Sequence, residues 1–134
     1  GLTSKTTLAI LAAAAGKPYT VPFSGNTPAL YTAEVAAAFI KAVSRPAVGA
    51  EVFNINGPAI GVEGWMDIIR ELNPNIRIDI EGNPLPFPFD LSDDPLRQLI
   101  GDYGSISVAE GTQITFEAFQ QLLKKGLLDP ERLM

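Results

Sequence analysis

Tyr31-Thr-Ala-Glu-Val-Ala-Ala-Ala-Phe-Ile-Lys-Ala-Val43, a short turn, and then Glu51-Val-Phe-Asn-Ile-Asn-Gly-Pro58 form the stretch that decides the fold. It spells a helix, a stop and a strand. Thr32 stands where a helix cap belongs, and Glu34 lies in the first turn, where the helix dipole favours an anion. Val35, Phe39 and Val43 share one face, which Ala36 and Ile40 widen, so the spacing predicts a helix over about 33–44 buried on a broad side. Arg45-Pro46 ends it. Val52 to Asn56 then reads as a strand running into Gly57.

Upstream, Thr3 or Ser4 can cap a first helix whose Leu8, Leu11, Ala12 and Ala15 fall at helical spacing. Gly16 and Pro18 close it. Tyr19 to Phe23 reads as a short strand in which Pro22 disfavours a central sheet position. Residues 24–28 read as a turn, and Ala29 to Tyr31 as a short strand. Downstream, Gly57 to Gly61 reads as a loop. Val62, Trp65, Met66, Ile69 and Leu72 then make an amphipathic helix ended by Asn73-Pro74. Ile76 to Glu81 alternates as a strand with one wet face. Gly82 to Phe89, with Pro84, Pro86 and Pro88, should be extended. Ser92 caps a short helix with Asp93, Asp94 and Pro95 in its first turn, and Ser107-Val108-Ala109-Glu110 is a capping box opening the last long helix. Leu127 to Met134 reads as a loose tail. The expected class is mixed α/β (α+β), with about five helices and four short strands.

The 134 residues are the size of one domain, and 46% are apolar, enough for a real core. A net charge of −5, with the lysines and arginines scattered, argues against nucleic acid or an anionic membrane as partner. The chain contains no cysteine and no histidine. That excludes disulfides, thiolate chemistry, a histidine-dependent triad and most zinc sites. It is compatible with a reducing cytoplasm, and a cytoplasmic location is the expectation. The apolar run Leu8 to Ala15 is too short to span a bilayer and follows no basic leader. An opening at Gly1-Leu2-Thr3 without methionine suggests a processed or excised piece of something longer.

The sharpest candidate for chemistry is Gly57, Gly61 and Gly64, between a strand and a helix, with Asp79 or Glu81 about 20 residues on, as a dinucleotide fingerprint would ask. Backbone N–H groups and the helix N-terminus would face a pyrophosphate. The spacing is G-x-x-x-G-x-x-G instead, and Pro58 removes one N–H. A turn with a glycine N-cap is the plainer reading. Glu63 with Asp67, Asp93 with Asp94, and Asp79 with Glu81 read as solvated or dipole-facing carboxylates. None of Tyr19, Tyr31 and Tyr103 has a lysine four residues on, so a tyrosine–lysine base pair is absent. Residues 85–89 suit either an apolar pocket wall or a lid on the domain's own core.

Taken in order, these segments resemble the C-terminal part of extended short-chain dehydrogenases/reductases, the NAD-dependent epimerase/dehydratase family. The resemblance is carried by Leu2-Thr3-Ser4 with the alanine-rich helix, by Gly16 to Phe23, and by Tyr31 to Phe39, with Glu34 where the family usually has aspartate. Val52 to Gly57 is similar to the family's V-[YF]-N-[ILV]-G strand, and Asp90-Leu91-Ser92 and Glu110-Gly111 to its closing segments. It covers nearly the whole chain, to about Leu123.

The resemblance implies that residues 1–126 are a substrate-binding lobe and 127–134 a tail. The N-terminal Rossmann domain, which holds NAD or NADP and the tyrosine–lysine pair, would lie outside this chain. No catalytic, cofactor-binding or metal residue is expected within it, and alone it would be inert. The partners implied are that Rossmann domain and a small sugar-like substrate. Substrate contacts carried over are Val21, Phe23, Thr27, Tyr31 and Ile60. Nucleotide-sugar members have Arg-Asp-[Tyr/Phe] where Thr27-Pro28-Ala29 stands here, and an arginine absent from residues 82–90. Without those charge-assisted bonds to a diphosphate, an uncharged or carboxylate-bearing small sugar fits better. A lobe cut from its partner should expose an apolar face along Val52–Ile55 or the helix over 33–44, and self-associate through it. The alternative is a free-standing, non-catalytic binding or interaction module; a third reading is a small nucleotide-binding domain built on Gly57 to Gly64.

Overall fold

The computed structural model describes residues 4–46 and 49–132. Five helices and four three-residue strands follow one another as α1 (Lys5–Ala15), β1 (Tyr19–Val21), β2 (Asn26–Pro28), α2 (Thr32–Val43), β3 (Ala59–Gly61), α3 (Val62–Leu72), β4 (Ile78–Ile80), α4 (Asp94–Ile100) and α5 (Val108–Lys124). The mixed class and the element numbers agree with the sequence reading. Among the described residues, no helix is long and apolar enough to cross a membrane.

The main core is where the alanine-rich α1 meets α3 and α5. Ala9 and Ala13 are small enough to let the helices approach closely, and Ile10, Met66, Ile69 and Phe116 fill the space between. The parallel pair β1–β4, in register Tyr19↔Ile78 and Val21↔Ile80, lies on this core and adds Val21, Phe23 and Ile78 to it. Side-chain amides and guanidinium groups tie the ends. Asn73 Nδ2 donates to Ala13 O (2.8 Å) and Arg70 to Ile78 O (2.8 Å). A second, smaller core joins Ala38 of α2 to Leu96 and Ile100 of α4 and to Tyr103, with Phe53 and Ile55 half-buried against them.

Several local expectations shift. The turn expected at 24–28 contains β2, and the loop expected at 57–61 contains β3. The two pair antiparallel, Thr27 facing Ile60, and the ladder is extended by Ala29 N–H to Pro58 O (3.0 Å) and Val62 N–H to Gly25 O (2.9 Å). The strand expected at Val52–Asn56 does not form: the segment belongs to no helix, turn or ladder among the described residues. The cap of α2 is Tyr31, not Thr32, and Glu34 turns to another task. The broad buried side expected for α2 is not buried here. Ala38 is buried in it, whereas Phe39, Ile40 and Val43 are 65%, 64% and 79% exposed, for want of a counterpart among these residues. An exposed apolar face thus lies where the sequence put it.

Other caps are as read. Ser107 Oγ accepts from Glu110 N–H (3.1 Å), Gly61 is the N-cap of α3, and Ser92 Oγ accepts from Asp94 N–H (3.1 Å), although Asp93 is the formal cap of α4. Ser4 stands at the N-cap of α1; Thr3, its alternative, lies outside the described residues. Within the expected loose tail, Pro130–Arg132 forms a 3-10 turn, and Glu131 pairs with Lys17 beyond the end of α1.

Candidate functional site

Two cavities adjoin the N-termini of α2 and α5, sharing Ile106 and Ser107 in their walls. The smaller, about 110 Å³, is bounded by Thr7 and Ile10 of α1, Tyr31, Trp65, and Thr112 and Thr115 of α5. The larger, about 350 Å³, is bounded by Glu34, Asn56, Gly57, Asp93, Arg97 and Ser107. Small-molecule sites generally begin at about 300 Å³, so only the larger has the size for a ligand of its own.

The polar side chains around the larger cavity are paired with one another. Arg97 donates to Asp93 (3.0 Å), Asp102 (2.7 Å) and Gly104 O (3.2 Å), and its guanidinium carbon lies 4.2 Å from the centre of the Tyr103 ring. The Tyr103 hydroxyl donates to Asp93, and Lys41 Nζ to Asp102 O. Burial of Arg97 disfavours its charge, but Asp93, Tyr103 and Asp102 outweigh that and hold it more firmly protonated than usual. The Gly104 N–H, aided by Arg97, holds the Asp102 carboxyl below the usual carboxylate range. Burial, with the Asp93 carboxylate, pushes the Tyr103 hydroxyl up to about 12. Tyr103 is therefore a fixed donor at neutral pH and no general base. Glu34 accepts from Ile106 N–H (2.5 Å), joining α2 to the approach of α5, and Asn56 Nδ2 donates to Phe89 O (3.3 Å) and Leu91 O (2.7 Å), holding down the proline-rich segment.

Tyr103 gives a pH prediction. Its folded-state pKa is raised, so between pH 10 and about 12 the unfolded chain loses a proton that the native one keeps. Stability from this group is complete below pH 10 and lost as pH rises through 12. Urea midpoints should fall over that interval, and in Tyr103→Phe the part of the fall due to this residue should vanish.

The residues carried over by resemblance scatter. Val21 and Phe23 are core residues, 0% and 1% exposed. Thr27 and Ile60 are brought together as a cross-strand pair, Thr27 being 4% exposed. Tyr31 lines the smaller cavity. None of the five borders the larger one, whose Asn56, Arg97 and Ser107 were not singled out as site residues. The signals that mark them are the Asn-Gly end of residues 52–57 and the Asp93–Arg97 spacing of four.

The glycine constellation does not form a phosphate cradle. Gly57 is pressed onto the backbone of Ala29, Gly61 belongs to the β2–β3 ladder, and the first N–H of α3 is already given to Gly25 O. These residues do not fit a dinucleotide. Among the described residues, no three His, Cys, Asp or Glu side chains are grouped to hold a metal.

No family model matches the sequence, and no curated protein does. Solved structures do. A partial-consensus L-threonine 3-dehydrogenase superposes with a TM-score of 0.78 at 21% identity, covering 90% of this chain and 43% of the other. The holo form of the GalE-like L-threonine dehydrogenase from Cupriavidus necator gives 0.77 at 22%, covering 88% and 42%. The chain has the fold of one part of a GalE-like dehydrogenase. A UDP-glucuronic acid 4-epimerase from Bacillus cereus in complex with NAD shares that GalE-like arrangement more distantly, at 0.64 and 15%, covering 88% and 39%. The resemblance to extended short-chain dehydrogenases/reductases therefore holds at the level of fold, and the chain spans less than half the length of these proteins.

Proposed function

We propose that the chain is the substrate-binding part of an NAD(P)-dependent dehydrogenase or epimerase/dehydratase, inert by itself. The observation that carries this is the superposition of 90% of the chain on 43% of a threonine dehydrogenase. The cofactor, as hydride acceptor, would belong to the portion absent here. The substrate proposed is a small secondary alcohol, sugar-like or carboxylate-bearing. L-threonine, the substrate named for the matched dehydrogenases, is of the second kind. Thr27-Pro28-Ala29, with no arginine to clamp a diphosphate, supports a small substrate. Tyr31 and Ile60 would face the substrate, with the buried Thr27, Val21 and Phe23 supporting them from the core.

Titration with NAD(H), followed by Trp65 fluorescence, should show no saturation for the 134-residue chain. The protein that joins it to a cofactor domain should reduce NAD(P)⁺ with small hydroxy acids or sugars. Tyr31→Phe should lower kcat/KM there by about tenfold, the loss of one hydrogen bond of roughly 1.4 kcal/mol. Saturable NAD(H) binding by the 134-residue chain would sink the proposal.

A further inference from the structure

The sequence has six asparagines, and Asn56 alone is followed by glycine. That pair is the one most open to spontaneous loss of the side-chain amide, because a glycine without Cβ lets its backbone nitrogen swing onto the asparagine side chain. Asn73 and Asn83 precede proline, whose nitrogen carries no hydrogen. Asn26, Asn54 and Asn75 precede β-branched threonine or isoleucine, which crowd the approach. The structure leaves Asn56 within reach of water, half-buried in the wall of the larger cavity. Among the described residues, the Gly57 N–H enters no backbone hydrogen bond.

The Asn56 amide also has a structural task. Its Nδ2 donates to Phe89 O (3.3 Å) and Leu91 O (2.7 Å). Residues 85–91 make no backbone–backbone hydrogen bond among the described residues, and the tie upstream of them is Ser24 N–H to Asn83 O (3.2 Å). Pro86, Phe87, Pro88, Asp90 and Leu91 are exposed, so packing holds them little. One side-chain amide is thus the clasp of the proline-rich segment.

We propose that Asn56-Gly57 is a deamidation site whose reaction irreversibly unclasps residues 86–91 from the wall of the larger cavity. The Gly57 nitrogen attacks Asn56 Cγ. The Cγ–Nδ2 bond breaks, Nδ2 leaves as ammonia with the proton of the Gly57 N–H, and a cyclic imide closes. Water then opens the imide to aspartate or isoaspartate. A nitrogen that donated two hydrogens is replaced by a carboxylate oxygen, which only accepts. That oxygen faces two carbonyl oxygens with no hydrogen between them, and the segment relieves the conflict by leaving. Leu91, which borders the cavity, leaves with it. The two bonds restrain the side chain, so the imide forms from the open clasp, and the product no longer shuts it.

The test ages the folded 134-residue chain at mildly alkaline pH and maps its peptides by mass spectrometry with isoaspartate detection. Asn56 should react before each of the other asparagines. It should also react at least about tenfold more slowly than in urea, where the clasp is open. In Asn56→Asp, the backbone order parameters of Phe89 and Leu91 should fall from about 0.85 to below about 0.6. The aged wild-type chain, separated by its added negative charge, supplies the same reading if Asn56→Asp does not fold. Asn56 intact after another asparagine has reacted overturns the proposal, as does equally fast reaction in the folded and unfolded chain. So do order parameters that stay at the wild-type value.

Discussion

Phe23→Ala is expected to cost about 3–5 kcal/mol of folding free energy, enough to unfold a large fraction of molecules of ordinary marginal stability. The resemblance placed Phe23 beside the substrate. In the structure it is 1% exposed, among the largest fully buried side chains, in the cluster with Val21, Met66 and Ile69. Removing the ring loses its transfer free energy and leaves a cavity between β1 and α3, bounded by helices already in close contact through alanines. The measurement is the urea midpoint of the 134-residue chain, with Phe87→Ala as comparison. Phe87 is 59% exposed on the proline-rich segment, and its loss should stay within about 0.5 kcal/mol. If Phe23→Ala leaves the urea midpoint unchanged, β1 does not lie on the core as described. In a joined enzyme, any loss of activity in Phe23→Ala should track loss of folded protein.

Gly57→Val should be nearly as damaging, by about 3 kcal/mol or more, for a steric reason local to the backbone. A Cβ at residue 57 would lie 2.0 Å from Ala29 O and 2.8 Å from Ala29 C. Backbone atoms cannot move aside as the end of a side chain can. Relief requires opening the Ala29 N–H to Pro58 O bond and the Pro28↔Ala59 end of the β2–β3 ladder. The other two glycines of the apparent fingerprint separate cleanly from it. At Gly61 the nearest atom to a Cβ is Asn26 Oδ1 at 3.5 Å, so Gly61→Ala should be near neutral. Gly64 lies within α3 with only Ile60 at 3.8 Å, so Gly64→Ala should stabilise by about 0.5–1 kcal/mol through helix propensity. A phosphate loop would predict a common loss of nucleotide affinity at all three positions. The structure predicts three different stabilities, read by urea denaturation without nucleotide.

Much of this architecture was legible because it is local. The capping box at Ser107, the stripe Val62–Trp65–Met66–Ile69 and the Asn73-Pro74 stop depend on residues within a turn or two, and all three stand where their spacing put them. β1 and β4 were legible as strands, β4 from its alternation, though not as parallel partners, since that pairing joins residues nearly 60 apart. The β2–β3 ribbon was missed because Asn26-Thr27-Pro28 and Ala59-Ile60-Gly61 carry turn chemistry, and only their mutual pairing makes them strands. Val52 to Asn56 reads as a strand by composition, but a strand needs a partner, and the structure pairs this segment with none among the described residues.

By itself, the sequence determined the helices, the exclusion of histidine and cysteine chemistry, and the order of segments that belongs to a GalE-like part. Each rests on residue identity or on spacing within one element. Only the tertiary structure decided which residues border a cavity. It buried Val21 and Phe23, paired Thr27 with Ile60, and assembled Asn56, Arg97 and Ser107 from three separate stretches around one space. It also settled that Gly57 is held by contact with Ala29, because an approach between two backbones is a property of the packed chain and leaves no mark in the spacing of glycines.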